Sequence, residues 1–339
     1  MDEQRAESND PEAPTRHRRG WWLWRIILAA LWAVAAVVLT IAGAGTDLPL
    51  FAIIVTVVLV FTSRGLSRLS MAGVLAACMA LVVARWTATP RLDRPWQPQL
   101  ERQASAIVEG DRLTIRDVRD FRWNPDGSFE PSWTTREYSL ASLRGIEMIL
   151  EPFPANPLMA HTMLSFDFGE DGRLLLSIEA RKEIGEDYGA IKGGLNRFEL
   201  MYIFLDERDA YGIRAHEDKQ LYAFPIRADA LRLRAFLLSL CATANILQTQ
   251  PRFYQIVRDN CTTAWIEHSD ALAEQPLGLQ LDTVFNGRIA RRLHAAGEVE
   301  TDLSYEEAKR LFRIDDRVLD CLDSPDFSDC IRAARTPSG

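Results

Sequence analysis

The sequence predicts a membrane-anchored α+β protein: three N-terminal transmembrane helices, then a domain with an antiparallel sheet and C-terminal helices. Three observations carry this. Apolar residues concentrate in three runs before residue 87. Period-two strand patterns fill much of residues 105–225, and helical periodicity takes over from residue 228.

The apolar runs are residues 21–43, 48–62 and 69–86. A bilayer span needs roughly 20 apolar residues, with a lower limit of about 17. The first run meets this outright, and the other two reach it with their Gly, Ala and Ser flanks. A signal peptide fits poorly, because more apolar sequence, not a small-residue cleavage site, follows the first run. Arg18, Arg19 and Arg25 at the first run, with Arg64 and Arg68 between the second and third, predict a cytoplasmic N-terminus and an external C-terminal domain. Arg85, Arg91 and Arg94 oppose that orientation, and a re-entrant second run would invert it. Residues 1–20 read as a disordered polar tail and 21–86 as the anchor. Residues 87–104, which hold Pro90, Pro95 and Pro98, read as an extended linker, and residues 105–335 as the folded domain.

Within that domain, strands are expected at 106–108, 112–118, 136–140, 145–150, 161–168, 173–181, 199–206 and 221–225. Gly169-Glu170-Asp171-Gly172 between two of them is the clearest hairpin turn. Leu231, Leu233, Phe236, Leu237, Leu240, Cys241, Ala244 and Leu247 mark a helix with a broad apolar face. Further helices are expected from Cys261 toward Leu272, over 286–296, and from Ser304, whose spacing to Glu307 matches a capping box.

The formal net charge of -8 offers nothing to a phosphate backbone, so nucleic acid is an unlikely partner. No zinc-type Cys/His spacing or glycine-rich phosphate loop is present, so neither metal nor cofactor is implied. Of the five cysteines, Cys78 lies in the third apolar run and Cys241 reads as a small core residue. Cys321 and Cys330 can pair in an oxidising compartment. Cys261 is the odd thiol.

Cys261 stands at a turn into a helix, where a thiol pKa falls. A buried structural cysteine is the plain alternative. His161 opens one strand of the hairpin, sharing a face with Met163, Ser165 and Asp167, while Thr162, Leu164, Phe166 and Phe168 share the other. A three-residue loop would pair Met163 with Glu179, making Glu179 a diagonal neighbour of His161 that can hold the imidazole tautomer. The plain alternative is a polar strand face turned to water. Tyr254 is a candidate hydrogen-bond donor to a carbonyl. Glu207-Arg208-Asp209 reads as a strand end entering a turn with solvated charges. His216, His268 and His294 read as surface or helix-packing residues.

The ordered segments Asp117-Val118-Arg119-Asp120-Phe121, His161-Thr162-Met163-Leu164-Ser165-Phe166, Ser177-Ile178-Glu179-Ala180-Arg181, Glu199-Leu200-Met201-Tyr202 through Asp206-Glu207-Arg208-Asp209, and Asn260-Cys261-Thr262-Thr263 resemble the Lnb-type N-terminal periplasmic domain family over roughly residues 106–282. The His-then-Cys order is also similar to circularly permuted papain-like thiol enzymes. The resemblance implies a domain at the outer face of a bacterial inner membrane, with Cys261 as nucleophile and His161 as base. Glu179 and Arg181 fall in a matching block; Arg181 and Asn260 join Tyr254 as candidates for substrate binding or oxyanion stabilisation. In Lnb the soluble domain precedes the spans, whereas here the apolar runs come first.

Two chemistries follow: acyl transfer or hydrolysis on a lipid-linked ester or amide, or amidase or peptidase action on cell-wall peptide. A non-catalytic envelope scaffold is the third reading. The implied partners are the lipid bilayer and a lipid-linked or cell-envelope substrate; oligomeric state is open.

Overall fold

The computed structural model describes residues 88–189, 193 and 196–333. The three expected spans and the N-terminal tail lie outside them. Residues 89–339 belong to one compact unit, and the fold below is that of its described residues.

Among the described residues ten strands form: β1 (Ser105–Glu109), β2 (Arg112–Arg119), β3 (Arg122–Trp123), β4 (Phe129–Glu130), β5 (Trp133–Ser139), β6 (Gly145–Pro152), β7 (Ala160–Asp167), β8 (Arg173–Arg181), β9 (Glu199–Leu205) and β10 (Tyr222–Pro225). The main sheet has the order β1-β2-β9-β8-β7-β6-β10, with β5 also paired to β2. Its pairings are antiparallel except for one: Arg119 at the end of β2 pairs with Leu205 in parallel. A bulge between Ile115 and Val118 shifts the β2 register and re-aims the strand so that Arg119 reaches β9.

Both faces of the sheet are covered. On one, Leu164, Phe166, Leu176, Tyr202 and Phe204 pack against α2 (Ala230–Leu247), α3 (Thr263–Asp270) and α5 (Ile289–Ala295). On the other, Ile149, Met163, Leu175, Met201 and Ile203 pack against α1 (Glu207–His216), α7 (Asp315–Cys321) and α8 (Phe327–Cys330). Two further helices, α4 (Leu281–Val284) and α6 (Tyr305–Leu311), complete the set, and Ser304 caps α6 through the expected box with Glu307. Helix α2 is apolar and long enough to cross a membrane, but Leu233, Leu237, Leu240, Ala244 and Leu247 are buried in the core.

Three expectations need correction, and first one plain alternative falls away. The hairpin face of His161, Met163 and Ser165 does not face water: α1, α7 and α8 cover it, and its polar residues are paired. Ser165 donates to Glu207 at 2.5 Å, and Arg332 bridges Glu207 and Glu147. Next, Glu207-Arg208-Asp209 is not an exposed turn but the first turn of α1, capped by Asp206, with Glu207 and Asp209 buried. Asp209 takes Arg119 at 2.9 Å through both carboxylate oxygens, and also the backbone N–H of Phe121. In addition, α3 starts at Thr263 and ends at Asp270, two residues short of the expected helix at each end, and Asn286–Arg288 is a 3-10 turn ahead of α5.

Lastly, residues 89–104 are not a free spacer. Trp96 is buried under the Arg181 guanidinium, 4.3 Å from its ring, and the Gln97 N–H donates to the Lys182 carbonyl at 2.9 Å. Arg94 pairs with Glu183 and Glu199. The segment is strapped along the ends of β8 and β9. The sequence pattern also left out the small β3–β4 hairpin, whose Trp123 Nε1 donates to Asp209 at 2.7 Å.

The C-terminal helices are tied by a Cys321–Cys330 disulfide. Cys241 is buried in α2, and burial pushes its thiol up to about 12.

Candidate functional site

The start of β7, the end of β8 and the loop before α3 meet at one end of the sheet. The hairpin loop at the opposite end of these two strands sets their register. It is five residues, 168–172, because Asp167 pairs with Arg173. Met163 therefore faces Ser177 rather than Glu179. The shift is two residues, so face parity survives and Glu179 moves from diagonal to directly across from His161.

His161 Nε2 lies 2.8 Å from Ser177 Oγ and 3.2 Å from Glu179 Oε1. The Ser177 hydroxyl donates to the same Glu179 oxygen at 2.6 Å. Two acceptors at Nε2 keep a ring proton there and fix the orientation of the ring. The ring and the Cys261 sulfur line the same cleft, and the charge on each stabilises the other. Burial works against a charged imidazole, but the Glu179 carboxylate and the Cys261 thiolate outweigh it and raise His161 to about 10. Burial likewise opposes the thiolate, yet the His161 charge brings Cys261 below its ordinary value. Glu179, opposed by burial but held by His161 and Ser177, falls well below the usual carboxylate range. The resting arrangement these shifts favour is a thiolate–imidazolium pair backed by a carboxylate.

The sulfur is positioned by a polar mesh. Asn260 accepts the N–H groups of Thr262 and Thr263 at 2.7 and 2.8 Å, which caps the start of α3 and fixes the backbone on either side of Cys261. Thr162 Oγ1 donates to the Cys261 carbonyl at 2.8 Å and accepts from Trp265 Nε1 at 3.1 Å. Asn286 accepts the Ala160 N–H at 2.8 Å and turns its amide to Cys261 Sγ at 3.4 Å and to Thr262 Oγ1 at 2.6 Å.

Around the pair lies a cleft of about 220 Å³. Phe153, Met159, Ile178 and Ile256 give it apolar walls, and Lys182, Tyr188, Arg214 and Tyr254 line it with polar groups. The Tyr188 and Tyr254 rings meet edge-on with centroids 6.1 Å apart; burial first, then the Cys261 charge, raises both phenols.

Residues 129–288 match the model of the Lnb N-terminal periplasmic domain family. This segment is an Lnb N-terminal periplasmic domain. It runs from β4 to the 3-10 turn before α5, and so takes in His161, Glu179, Cys261 and Asn286. The family description assigns such domains to the periplasm, a compartment in which the Cys321–Cys330 bridge persists. The chain matches no curated protein and no solved structure.

In this Lnb-type domain, Cys261, His161, Glu179 and Tyr254 come together at the cleft, and Asn260 lines it too. Both amide groups of Asn260 are engaged in local turns, its Nδ2 donating to the Ile256 carbonyl at 2.8 Å. Arg181 is placed elsewhere: its guanidinium donates to the carbonyls of Leu100 and Glu101 and holds the strap. His268 ties α3 to α2 through Ser239 at 3.0 Å, a packing role. Asn286, Ser177 and Tyr188 were not read from the sequence. Only Ser177 carried a signal, since it lies two residues before Glu179 on one strand face. Among the described residues no group of three or more His, Cys, Asp or Glu side chains is placed to hold a metal ion.

Proposed function

We propose that this protein is a membrane-anchored, thiol-dependent acyltransferase or hydrolase of the permuted papain-like type, acting outside the cytoplasmic membrane on a lipid-linked ester or amide. The observation that carries the reading is the electrostatically coupled Cys261–His161 pair, with Glu179 against the imidazole, inside a cleft with apolar walls.

The chemistry follows from the proton inventory. The Cys261 thiolate attacks the substrate carbonyl, and the new C–S bond leaves a tetrahedral oxyanion. The His161 imidazolium gives its proton to the departing alcohol or amine as the C–O or C–N bond breaks, leaving a thioester on Cys261. Neutral His161 then takes a proton from the acceptor amine or water, which attacks the thioester. Expulsion of the thiolate restores the ion pair. Glu179 and Ser177 stabilise the imidazolium whenever it forms and hold the ring in place.

Phe153, Met159, Ile178 and Ile256 favour an acyl chain over a polar cell-wall peptide, and a membrane anchor would raise the local concentration of a lipid donor. The test is to trap the acyl-enzyme from envelope extract and weigh it. A fatty-acyl mass on Cys261, absent from Cys261→Ala, supports the proposal. A peptidyl mass would move the assignment to amidase or peptidase chemistry, and no adduct under any donor would favour a non-catalytic scaffold.

A further inference from the structure

The cleft opens at one end of the sheet, where β7 begins and β8 ends, and its rim is unusually apolar. Leu158 is 48 % exposed and precedes the cleft residues Met159 and Ala160; Phe285 is also 48 % exposed and precedes Asn286. The segments carrying them are locked together, because the Gly287 N–H donates to the Leu158 carbonyl at 3.0 Å. On the opposite bank, Ile184 is 67 % exposed two residues beyond Lys182, and Tyr188, itself a cleft wall, is 40 % exposed. Large apolar side chains gathered on both banks of one cleft mark an interaction surface rather than scattered surface residues.

Resting on the reading that the substrate is lipid-linked, we infer that this collar is a bilayer-contact surface: Leu158, Ile184, Tyr188 and Phe285 dip into the outer leaflet and present the cleft to lipid. Two observations favour a lipid surface over a protein partner. The first is reach. The strap binds the Ile184 bank directly, with the Ile184 N–H donating to the Pro95 carbonyl at 2.8 Å. Pro95 is only nine residues past Trp86, the end of the third apolar run, and nine extended residues span at most about 30 Å. If that run crosses the bilayer, this bank cannot leave its neighbourhood. The second is charge. Arg258 and Arg288 are exposed beside the cleft residues Ile256 and Asn286, and have no ion-pair partner among the described residues. The acids Glu183 and Glu186 are already paired with Arg94 and Arg197. Apolar tips ringed by unpaired arginines suit an anionic lipid interface.

The test uses the full chain in vesicles of phosphatidylethanolamine and phosphatidylglycerol, in a Cys261→Ser background. That background makes the readout independent of turnover. Ile184→Cys and Phe285→Cys are each labelled with a polarity-sensitive fluorophore, and Leu231→Cys serves as control. Leu231 is 82 % exposed and lies beside Arg232, which lines a groove with Asp167 at the far end of β7. Blue-shifted emission at Ile184 and Phe285, lost to lipid-chain nitroxide quenchers while the Leu231 probe is unaffected, is the expected result. Emission and quenching equal to the control at both positions would overturn the collar. Because the wild-type acyl adduct is measured separately, failure of the chemistry and failure of the collar are distinguishable.

Discussion

His161 Nε2 and Glu179 Oε1 stand 3.2 Å apart across β7 and β8, with Ser177 bonded to both. The contact exists because a five-residue loop sets Asp167 against Arg173 and the ladder runs to Met163 and Ser177, a register that leaves positions 161 and 179 facing each other just beyond it. A carboxylate at this distance holds the imidazole charge that a thiolate needs.

Glu179→Gln keeps the shape and removes the charge. His161 should then fall from about 10 toward its ordinary value, and turnover should drop by roughly 10²-fold or more. The alkaline limb of the rate profile should move to lower pH, which steady-state kinetics across pH will read. Ser177→Ala should give a smaller loss in the same direction.

The same pair links stability to pH. His161, raised from 6.5 to about 10, contributes stability that is fully present below pH 6.5 and lost as pH climbs through about 10. Glu179, lowered from 4.5, contributes stability present above pH 4.5 and lost on acidification. Urea unfolding of wild type and Glu179→Gln at several pH values should show the difference between them shrinking at both extremes.

The Arg119–Asp209 pair is buried and two-pronged, and it joins β2 to α1 beneath the sheet. Asp209→Ala would strand the guanidinium and also orphan the Phe121 N–H. A loss of about 3–5 kcal/mol in chemical denaturation is expected.

The Cys321–Cys330 bridge closes a nine-residue separation between α7 and α8. Cys321→Ser with Cys330→Ser should cost about 2–3 kcal/mol, read as a lower melting temperature. Cys261 labelling below that temperature should persist.

Gly287 packs directly on the Pro157 carbonyl, where a Cβ has no room. Gly287→Ala should push the 157–158 segment away, displace Asn286 from the sulfur and slow Cys261 alkylation, with a stability cost of about 1–3 kcal/mol. Thiol labelling rates beside a thermal melt will separate the two effects.

What the sequence disclosed follows from the range of its signals. The β7–β8 hairpin and helix α2 announced themselves through local periodicity, and Cys261 through its turn into a helix. Glu207 and Asp209 did not, since charges near a turn read as solvated when their partners, Arg332 and Arg119, lie 125 and 90 residues away. The loop-length error in the hairpin was harmless because it was even. Asn286 was invisible because its place beside the sulfur comes from a close backbone approach at Gly287 that no pattern encodes. The expected spans fall outside the described residues.

The most direct measurement is the pH dependence of Cys261 alkylation by iodoacetamide, followed by intact mass, in wild type and His161→Ala. Wild type should react well below the ordinary thiol value of 9.0, and His161→Ala should lose that low-pH reactivity and titrate higher. Superimposable profiles for the two proteins would contradict the account, because the imidazole would then have no hold on the sulfur.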